Sequence, residues 1–231
     1  MKRMKRIDYG IDAPNVLRSL AVCGLLCLIL AAVFPVVRWL YSPGISLLAT
    51  VAGWLYGSKI GKLHLREKLM KLVSWKGDER VLDVGCGSGL LLNAAAKRLT
   101  DGKAIGVDIW RQEDLAGNHA QNTLMNAQLE GVSDRVEVRD GDVRNLPFDG
   151  DSFDVEISLN VLHNISSRQE RDKAISEILR VLKPGGQLII CDFRNVREYA
   201  RTIRGAGVRD VERRFIGFVG FFPMFAAIGT K

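Results

Sequence analysis

The chain has 231 residues, 47% of them apolar and 26% charged, which fits a globular α/β domain with an appendage and excludes wholesale disorder. Its net charge of +7 is unevenly placed: residues 1–71 hold 11 Lys and Arg against 3 Asp and Glu, a balance of +8, and the other 160 hold 22 against 23, a balance of −1. Basicity confined to one end removes the main support for a nucleic-acid partner. The four cysteines, Cys23, Cys27, Cys86 and Cys191, show neither a disulfide framework nor a zinc spacing, so no metal is expected.

Ser19 to Val37 is a run of 19 residues without a charge, about the length of a helix that crosses the hydrocarbon core. A second uncharged run, Trp39 to Ser58, carries Tyr41, Trp54 and Tyr56 near its ends, but Pro43-Gly44 interrupts it and shortens its helical part. Lys2, Arg3, Lys5, Arg6 and Arg18 precede the first run, Arg38 alone lies between the two, and Lys59, Lys62, Arg66, Lys68 and Lys71 follow. Positive flanks stay in the cytoplasm, so residues 1–58 are expected to form a membrane-anchoring helical hairpin with Tyr41 to Gly44 as its turn. Two spans and a re-entrant hairpin both satisfy the charges, with the catalytic domain cytoplasmic. A cleaved signal peptide or a buried soluble helix is disfavoured by the lack of a small-x-small cleavage site and by the length of the run.

Gly61 to Trp75 sets Leu63, Leu65, Leu69, Leu72 and Val73 among basic residues, so a helix within 59–76 links the anchor to a domain at 77–231. There strands and helices alternate: strand Arg80 to Val84, helix Leu90 to Leu99, strand Ala104 to Ile109, helix Asp114 to Leu129 and strand Arg135 to Arg139. Strand Phe153 to Leu159, helix Gln169 to Leu182, the turn Lys183-Pro-Gly-Gly186 and strand Gln187 to Asp192 follow. The alternation implies a mostly parallel sheet with helices on both faces. After a helix at Arg194 to Ala206, the runs Val208 to Phe215 and Phe225 to Thr230 have no helix between them. They are expected to pair antiparallel at the sheet edge, making seven strands.

The most informative segment is Val81-Leu-Asp-Val-Gly-Cys-Gly-Ser-Gly89. An apolar run ends in an acid and three alternate glycines, and a helix-forming stretch follows, so it reads as strand, tight turn and helix start. Gly85, Gly87 and Gly89 lack a Cβ, which lets the backbone take positive φ and lets a ligand approach the main chain. Ligands of open α/β sheets bind outside the carboxyl ends of the strands, where this turn and Asp83 lie. A dinucleotide fingerprint would need a glycine at position 90, where Leu90 stands.

Five places in order resemble the class I S-adenosylmethionine-dependent methyltransferases of the type 11, UbiE-like, small-molecule group. They are Val81 to Gly89, Gly106-Val-Asp108, Gly141-Asp142 with Leu146-Pro-Phe148, Phe153-Asp-Val155 with Leu162-His163-Asn164, and Glu177-Ile-Leu-Arg-Val-Leu-Lys-Pro-Gly-Gly186. The resemblance covers about residues 65–231 and implies a Rossmann-like sheet with S-adenosylmethionine as cofactor. By that resemblance Asp108, with Ile109 beside it, would accept hydrogen bonds from the ribose hydroxyls, and Asp142 from the adenine amino group, with Val143 nearby. Gly85, Cys86, Gly87 and Gly89 would pack against the methionine and ribose portions, Asp83 would hold the amino group directly or through water, and Asn160 would lie beside the sulfonium methyl. Cys86 reads as a small filler rather than a nucleophile.

His163, past the fourth strand on the ligand side, is the candidate general base, since an imidazole titrates near neutrality; a residue that only packs or orients its loop is the competing reading. His119 is expected on a solvated helix and His64 in the linker. The acceptor is expected to be a small hydrophobic or lipid-like molecule, and the other partner a membrane. Three features suggest so: the apolar hairpin, the run Phe215 to Phe225, and Arg194, Arg197, Arg201 and Arg204 on one helical face. A non-catalytic cofactor-binding membrane scaffold stays open. An NAD(P)-dependent oxidoreductase is disfavoured by Leu90 and Asp142.

Overall fold

The central strands are buried on both faces, which is why they are near-continuous apolar runs. These are β1 (Arg80–Val84), β2 (Lys103–Asp108), β4 (Phe153–Leu159) and the second half of β5 (Leu182–Asp192). The computed structural model describes residues 6–231, so Lys2, Arg3 and Lys5 of the charge argument lie outside the described residues. With β3 (Val136–Asp140), β6 (Arg209–Val219) and β7 (Phe222–Thr230), the strands form one sheet in the order β3-β2-β1-β4-β5-β7-β6. Strands β1 to β5 pair parallel, and β7 pairs antiparallel with β5 and β6, as expected for a terminal hairpin.

One face is covered by α3 (Lys62–Met70), α4 (Leu90–Ala96) and α5 (Ala120–Leu129), the other by α6 (Arg168–Val181) and α7 (Val196–Gly205). Three boundaries differ from expectation. The stretch Lys183-Pro-Gly-Gly186, expected as a turn, belongs to β5, which begins at Leu182. The helix expected from Asp114 begins only at Ala120, because Gly117 takes a φ of 72° and Asn118 is turned inward to Asp108 at 3.2 Å. The last two strands reach each other across Gly220-Phe221, with Gly220 at a φ of 58°, so the Phe-rich run is the upper part of this β-hairpin.

Ahead of the sheet, α1 (Pro14–Val33) and α2 (Tyr41–Tyr56) pack against each other as a helical hairpin. The buried positions of α1 are Leu17, Gly24 and Ala31, seven residues apart, and these form the seam. At its middle a Cβ on Gly44 would lie 3.1 Å from the Gly24 carbonyl oxygen, an approach only small residues permit. The turn is not at Tyr41 to Gly44 but in a 3-10 tip, Pro35–Leu40, with a break at Val37. Pro43 does not interrupt the second helix; it occupies the first turn of α2, where no intrahelical N–H is required.

Among the described residues one helix, α1, is long and apolar enough to cross a bilayer, at 20 residues and about 30 Å, which does not support the two-span form of the expected hairpin. The 16 residues of α2 reach about 24 Å. Much of the apolar surface of the hairpin faces outward, including Val22, Leu26, Ile29 and Val33, and at the tip Val36 and Trp39 are 86% and 69% exposed. From Tyr56 the helix continues through a π-helical turn, Gly57–Gly61, directly into α3. The helix within 59–76 also belongs to the core: Leu65, Leu69, Met70 and Val73 are buried beneath one sheet face.

Glu156 of β4 is fully buried with neither carboxylate oxygen partnered among the described residues. Burial pushes its carboxyl well above the usual range. A carboxyl raised in the folded state contributes stability that is full below its unfolded pKa and lost as pH rises towards the folded one. Glu156→Gln is expected to flatten the fall in thermal stability as pH rises above the ordinary carboxylate range. Denaturation curves that keep the parent slope in this variant would mean that another group titrates there.

Candidate functional site

The strand order reverses between β1 and β4, and a crevice opens at their carboxyl ends. The turn after β1 is pinned to the neighbouring strand: Gly85 N and Cys86 N both donate to the Val107 carbonyl, at 2.7 and 3.1 Å, and Gly87 N donates to the Asp108 carboxylate at 2.8 Å. Gly85, Gly87 and Gly89 take φ of 69°, 51° and 84°, a region that side chains with a Cβ rarely adopt. Cys86 fills the space beside Gly106, whose Cβ would lie 2.7 Å from its sulfur. Burial pushes the Cys86 thiol well up, which suits a filler and not a nucleophile.

A cavity of about 590 Å³ opens above this turn, and its wall includes Gly85, Gly87, Asp108, Ile109, Asp142, Val143, Asn160 and His163. A smaller one of about 70 Å³ shares Gly85, Gly87 and Asn160 with it and is also lined by Asp83, Cys86 and Lys62. Gly89 reaches neither; it caps α4 and packs against Thr123. Asp108 receives Gly87 N, Trp110 N at 2.6 Å and Asn118 Nδ2 at 3.2 Å. Asp142 is bound by the Arg144 guanidinium, which holds its carboxyl below the usual range, and Arg144 also reaches Glu170 at 3.1 Å.

Among the described residues two polar atoms, one on the small cavity and one where the two cavities meet, are buried without partners. One is Asp83 Oδ2, on a carboxyl that burial and the nearby Asp108 push well up. The other is Asn160 Oδ1, whose backbone takes a left-handed φ of 58° while its N donates to the Cys191 carbonyl at 2.9 Å. Strain of this kind in a residue with a side chain concentrates at functional positions.

His163 sits in a 3-10 turn, Leu162–Asn164, at the cavity wall. Its Nδ1 lies 3.0 and 3.1 Å from the two oxygens of Asp192, and its backbone N donates to the same carboxylate at 3.2 Å. Asp192 is wholly buried at the end of β5 and also receives Phe193 N at 2.8 Å. A carboxylate on Nδ1 fixes the proton there and leaves Nε2 free to accept another. The sequence reading located Asp192 only as a strand end; the signal for its role was an acid at the carboxyl edge of the sheet, and its pairing spans 29 residues.

The N-terminal segment completes the site, which the sequence reading missed. Residues 8–13 lie across the glycine turn: Asp8 N donates to Asn126 Oδ1 at 3.1 Å, Tyr9 bonds Glu130, and Ala13 N donates to the Asp114 carbonyl at 2.9 Å. Lys62 Nζ donates to the Tyr9 and Gly10 carbonyls at 2.7 and 3.1 Å, and burial lowers its pKa. Trp54, at the root of the helical hairpin, meets Phe222 at 5.2 Å between ring centroids. Phe222 meets Phe193 at 5.2 Å and Phe193 meets His163 at 4.6 Å, so a chain of rings walls one side of the cavity.

These residues fit a ligand with a nucleoside and a zwitterionic tail, such as S-adenosylmethionine. The glycine turn leaves main chain bare, Asp108 stands at the end of β2, and the small cavity is lined by one unpartnered carboxylate oxygen, on Asp83, and by Lys62, whose Nζ also lies 3.6 Å from Asp12. Residues 82–190 match the family profile described as "Methyltransferase domain". The chain is 35% identical over 116 residues to a demethylmenaquinone methyltransferase of Clavibacter sepedonicus, covering 50% of this chain and 41% of that one. It is 31% identical over 160 residues to a ubiquinone biosynthesis O-methyltransferase of Coxiella burnetii, covering 66% and 62%. The chain thus spans less than two thirds of either relative. A crystal structure of a SAM-dependent methyltransferase from Aquifex aeolicus superposes with a TM-score of 0.60 at 22% identity, covering 74% of this chain and 93% of that one, a likeness of fold.

A Cβ at Gly85 would fall 2.3 Å from Cγ2 of Val161 in the loop after β4. Gly85→Ala is expected to destabilise by about 1–2 kcal/mol from the left-handed φ and by about 1–3 kcal/mol more from overpacking. Adding Val161→Ala should restore only the second part in denaturant unfolding. A Gly85→Ala protein of parent stability would contradict this geometry.

Proposed function

Residues 82–190 form a class I S-adenosylmethionine-dependent methyltransferase domain, and from that premise we propose that the protein methylates a small hydrophobic, lipid-like acceptor drawn from a membrane that its helical hairpin enters. The supporting observation is that the root of the hairpin is itself a wall of the cavity: Ala13, Trp54 and Ser58 line it together with Phe193, Phe222 and Met224. An acceptor leaving an apolar layer along the hairpin meets these rings before it meets water. The two relatives carry quinone names, demethylmenaquinone and ubiquinone, which agrees with an apolar ring compound as acceptor. Both roots of the hairpin, Ala13 and Trp54, lie at the domain, so a hairpin inserted tip first keeps the basic N-terminus and the domain on one side, the cytoplasmic side by charge.

Bound S-adenosylmethionine supplies an electrophilic methyl group on a sulfonium. Asp108, preorganised by three donors, offers its remaining lone pairs to the ribose hydroxyls, flanked by Ile109; Asp142 with Val143 faces the adenine. Asp83 would hold the α-ammonium and Lys62 the carboxylate of the tail, which would give the buried oxygen of Asp83 a partner. Asn160 presents its free carbonyl oxygen at the junction between tail and acceptor. His163 Nε2 accepts the proton that the acceptor atom loses on methylation, and Asp192 keeps the ring in the accepting tautomer and then steadies the imidazolium. The ring wall excludes water from that exchange.

His163→Ala is expected to lower kcat by roughly 10²-fold or more in membrane-reconstituted enzyme, with Asp192→Asn lowering it in the same direction. Cofactor affinity, measured by calorimetry, should be unchanged in both. A His163→Ala enzyme with parent kcat would remove the base and leave the histidine a packing role.

A further inference from the structure

We propose that the edge of the domain formed by α7 and β6 docks on the phosphate layer of an anionic phospholipid leaflet, holding the active-site end of the sheet against the membrane. This rests on the membrane-anchored reading above and adds a second contact, chemically distinct from the apolar hairpin.

Arg194, Arg197, Arg201, Arg204, Arg209 and Arg213 lie on or beside these two elements, and among the described residues none has a carboxylate within 4 Å. Arg66, Arg98, Arg144, Arg171 and Arg180 elsewhere are paired, as is Arg214 on β6 itself. Of the acids on α7 and β6, Glu198 is taken by Arg171 at 2.8 Å and Glu212 by Arg214 at 2.7 Å, while Asp210 lies within 4 Å of no cation among the described residues. Arg213 lies over the ring of Phe225, 3.6 Å from its centroid, with its Nε buried and without a partner. Burial and the facing charge of Arg197 both disfavour its proton. Arg213, stacked on that ring with the charge of Arg197 acting on it, keeps a donor that an anion completes, and a phosphate takes such planar donors in pairs.

The same face carries the apolar part of the contact. Phe215 packs against Phe225 and Phe218 at 5.4 and 5.3 Å, yet Phe215, Phe218 and Phe221 remain 50%, 63% and 62% exposed. The pairing register sets their heights. Phe225 stands opposite Asp192, at the carboxyl end of β5, and Phe215 stands opposite Phe225, so Phe218 and Phe221 project beyond the active-site end of the sheet. Arg213 lies two residues farther back along β6, about 7 Å. The rings outermost and the Arg213 guanidinium one step behind them follow the order of a bilayer interface, acyl boundary and then phosphate, while Arg209, opposite Thr230, lies farther back towards the other end of the sheet. The surface is continuous with the anchor, because the Phe221 ring rests on Gly53 of α2, where a Cβ would lie 2.1 Å from it.

The test is flotation of the full-length protein with vesicles of phosphatidylcholine alone and of phosphatidylcholine carrying about one third phosphatidylglycerol. Each arginine at an anionic surface is worth about fivefold in partitioning, so Arg197→Gln with Arg213→Gln should lower partitioning to the anionic vesicles by roughly 30-fold. Partitioning to neutral vesicles should be unchanged. Arg197→Lys with Arg213→Lys should keep most of the preference, which separates charge from misfolding. An unchanged anionic preference in the Gln pair overturns the proposal while leaving the anchor intact. Abolition of the parent preference by inorganic phosphate at constant ionic strength also overturns it, by making the site one for a free anion. Failure of the parent protein to float with either vesicle overturns the anchored reading and this one together.

Discussion

Two amides that share one acceptor hold the site together: the N–H groups of Gly85 and Cys86 converge on the Val107 carbonyl. That clamp fixes the turn after β1 to the end of β2 and, through Gly87 N, orients the Asp108 carboxylate. It works only if the intervening backbone takes positive φ, and the space thereby freed at Gly85 is filled by Val161 from the far side of the crevice. One local constraint therefore ties together three strand ends, those of β1, β2 and β4.

The N-terminal third builds on this frame. One continuous helical path, from α2 through the π-helical turn into α3, contributes Trp54 and Ser58 to the large cavity, Lys62 to the small one and Leu65 and Leu69 to the core. Ser58 Oγ donates to Asp12 at 2.7 Å, so the two roots of the hairpin are bonded to each other at the cavity wall. π-helical turns inside α-helices recur at functional positions, and here the extra residue turns Ser58 inward while Gly57 lies against Gly220. Anchor and site are in consequence one mechanical unit.

Features that depend on neighbours in sequence were legible from sequence. The alternate glycines, the acid at each strand end and the lack of a helix between the last two strands are local signals, and the structure places Asp83, Asp108, Asp142, Asn160 and His163 around joined cavities. Features set by distant contacts were not. Pro43 reads equally as a helix breaker and as a first-turn residue until Gly24 is seen against Gly44. The helix expected from Asp114 is cut short because Asn118 bonds Asp108 instead. The dyad of His163 with Asp192 and the ring contact of Trp54 with Phe222 join residues whose spacing follows no period of helix or strand.

The central claim is that a methyl donor site opens towards an apolar layer. Incubating membrane-reconstituted full-length protein with methyl-labelled S-adenosylmethionine and a total lipid extract, then partitioning the products, tests it most directly. The account predicts label in a species that enters the organic phase; label confined to water-soluble products, or none transferred, would contradict it.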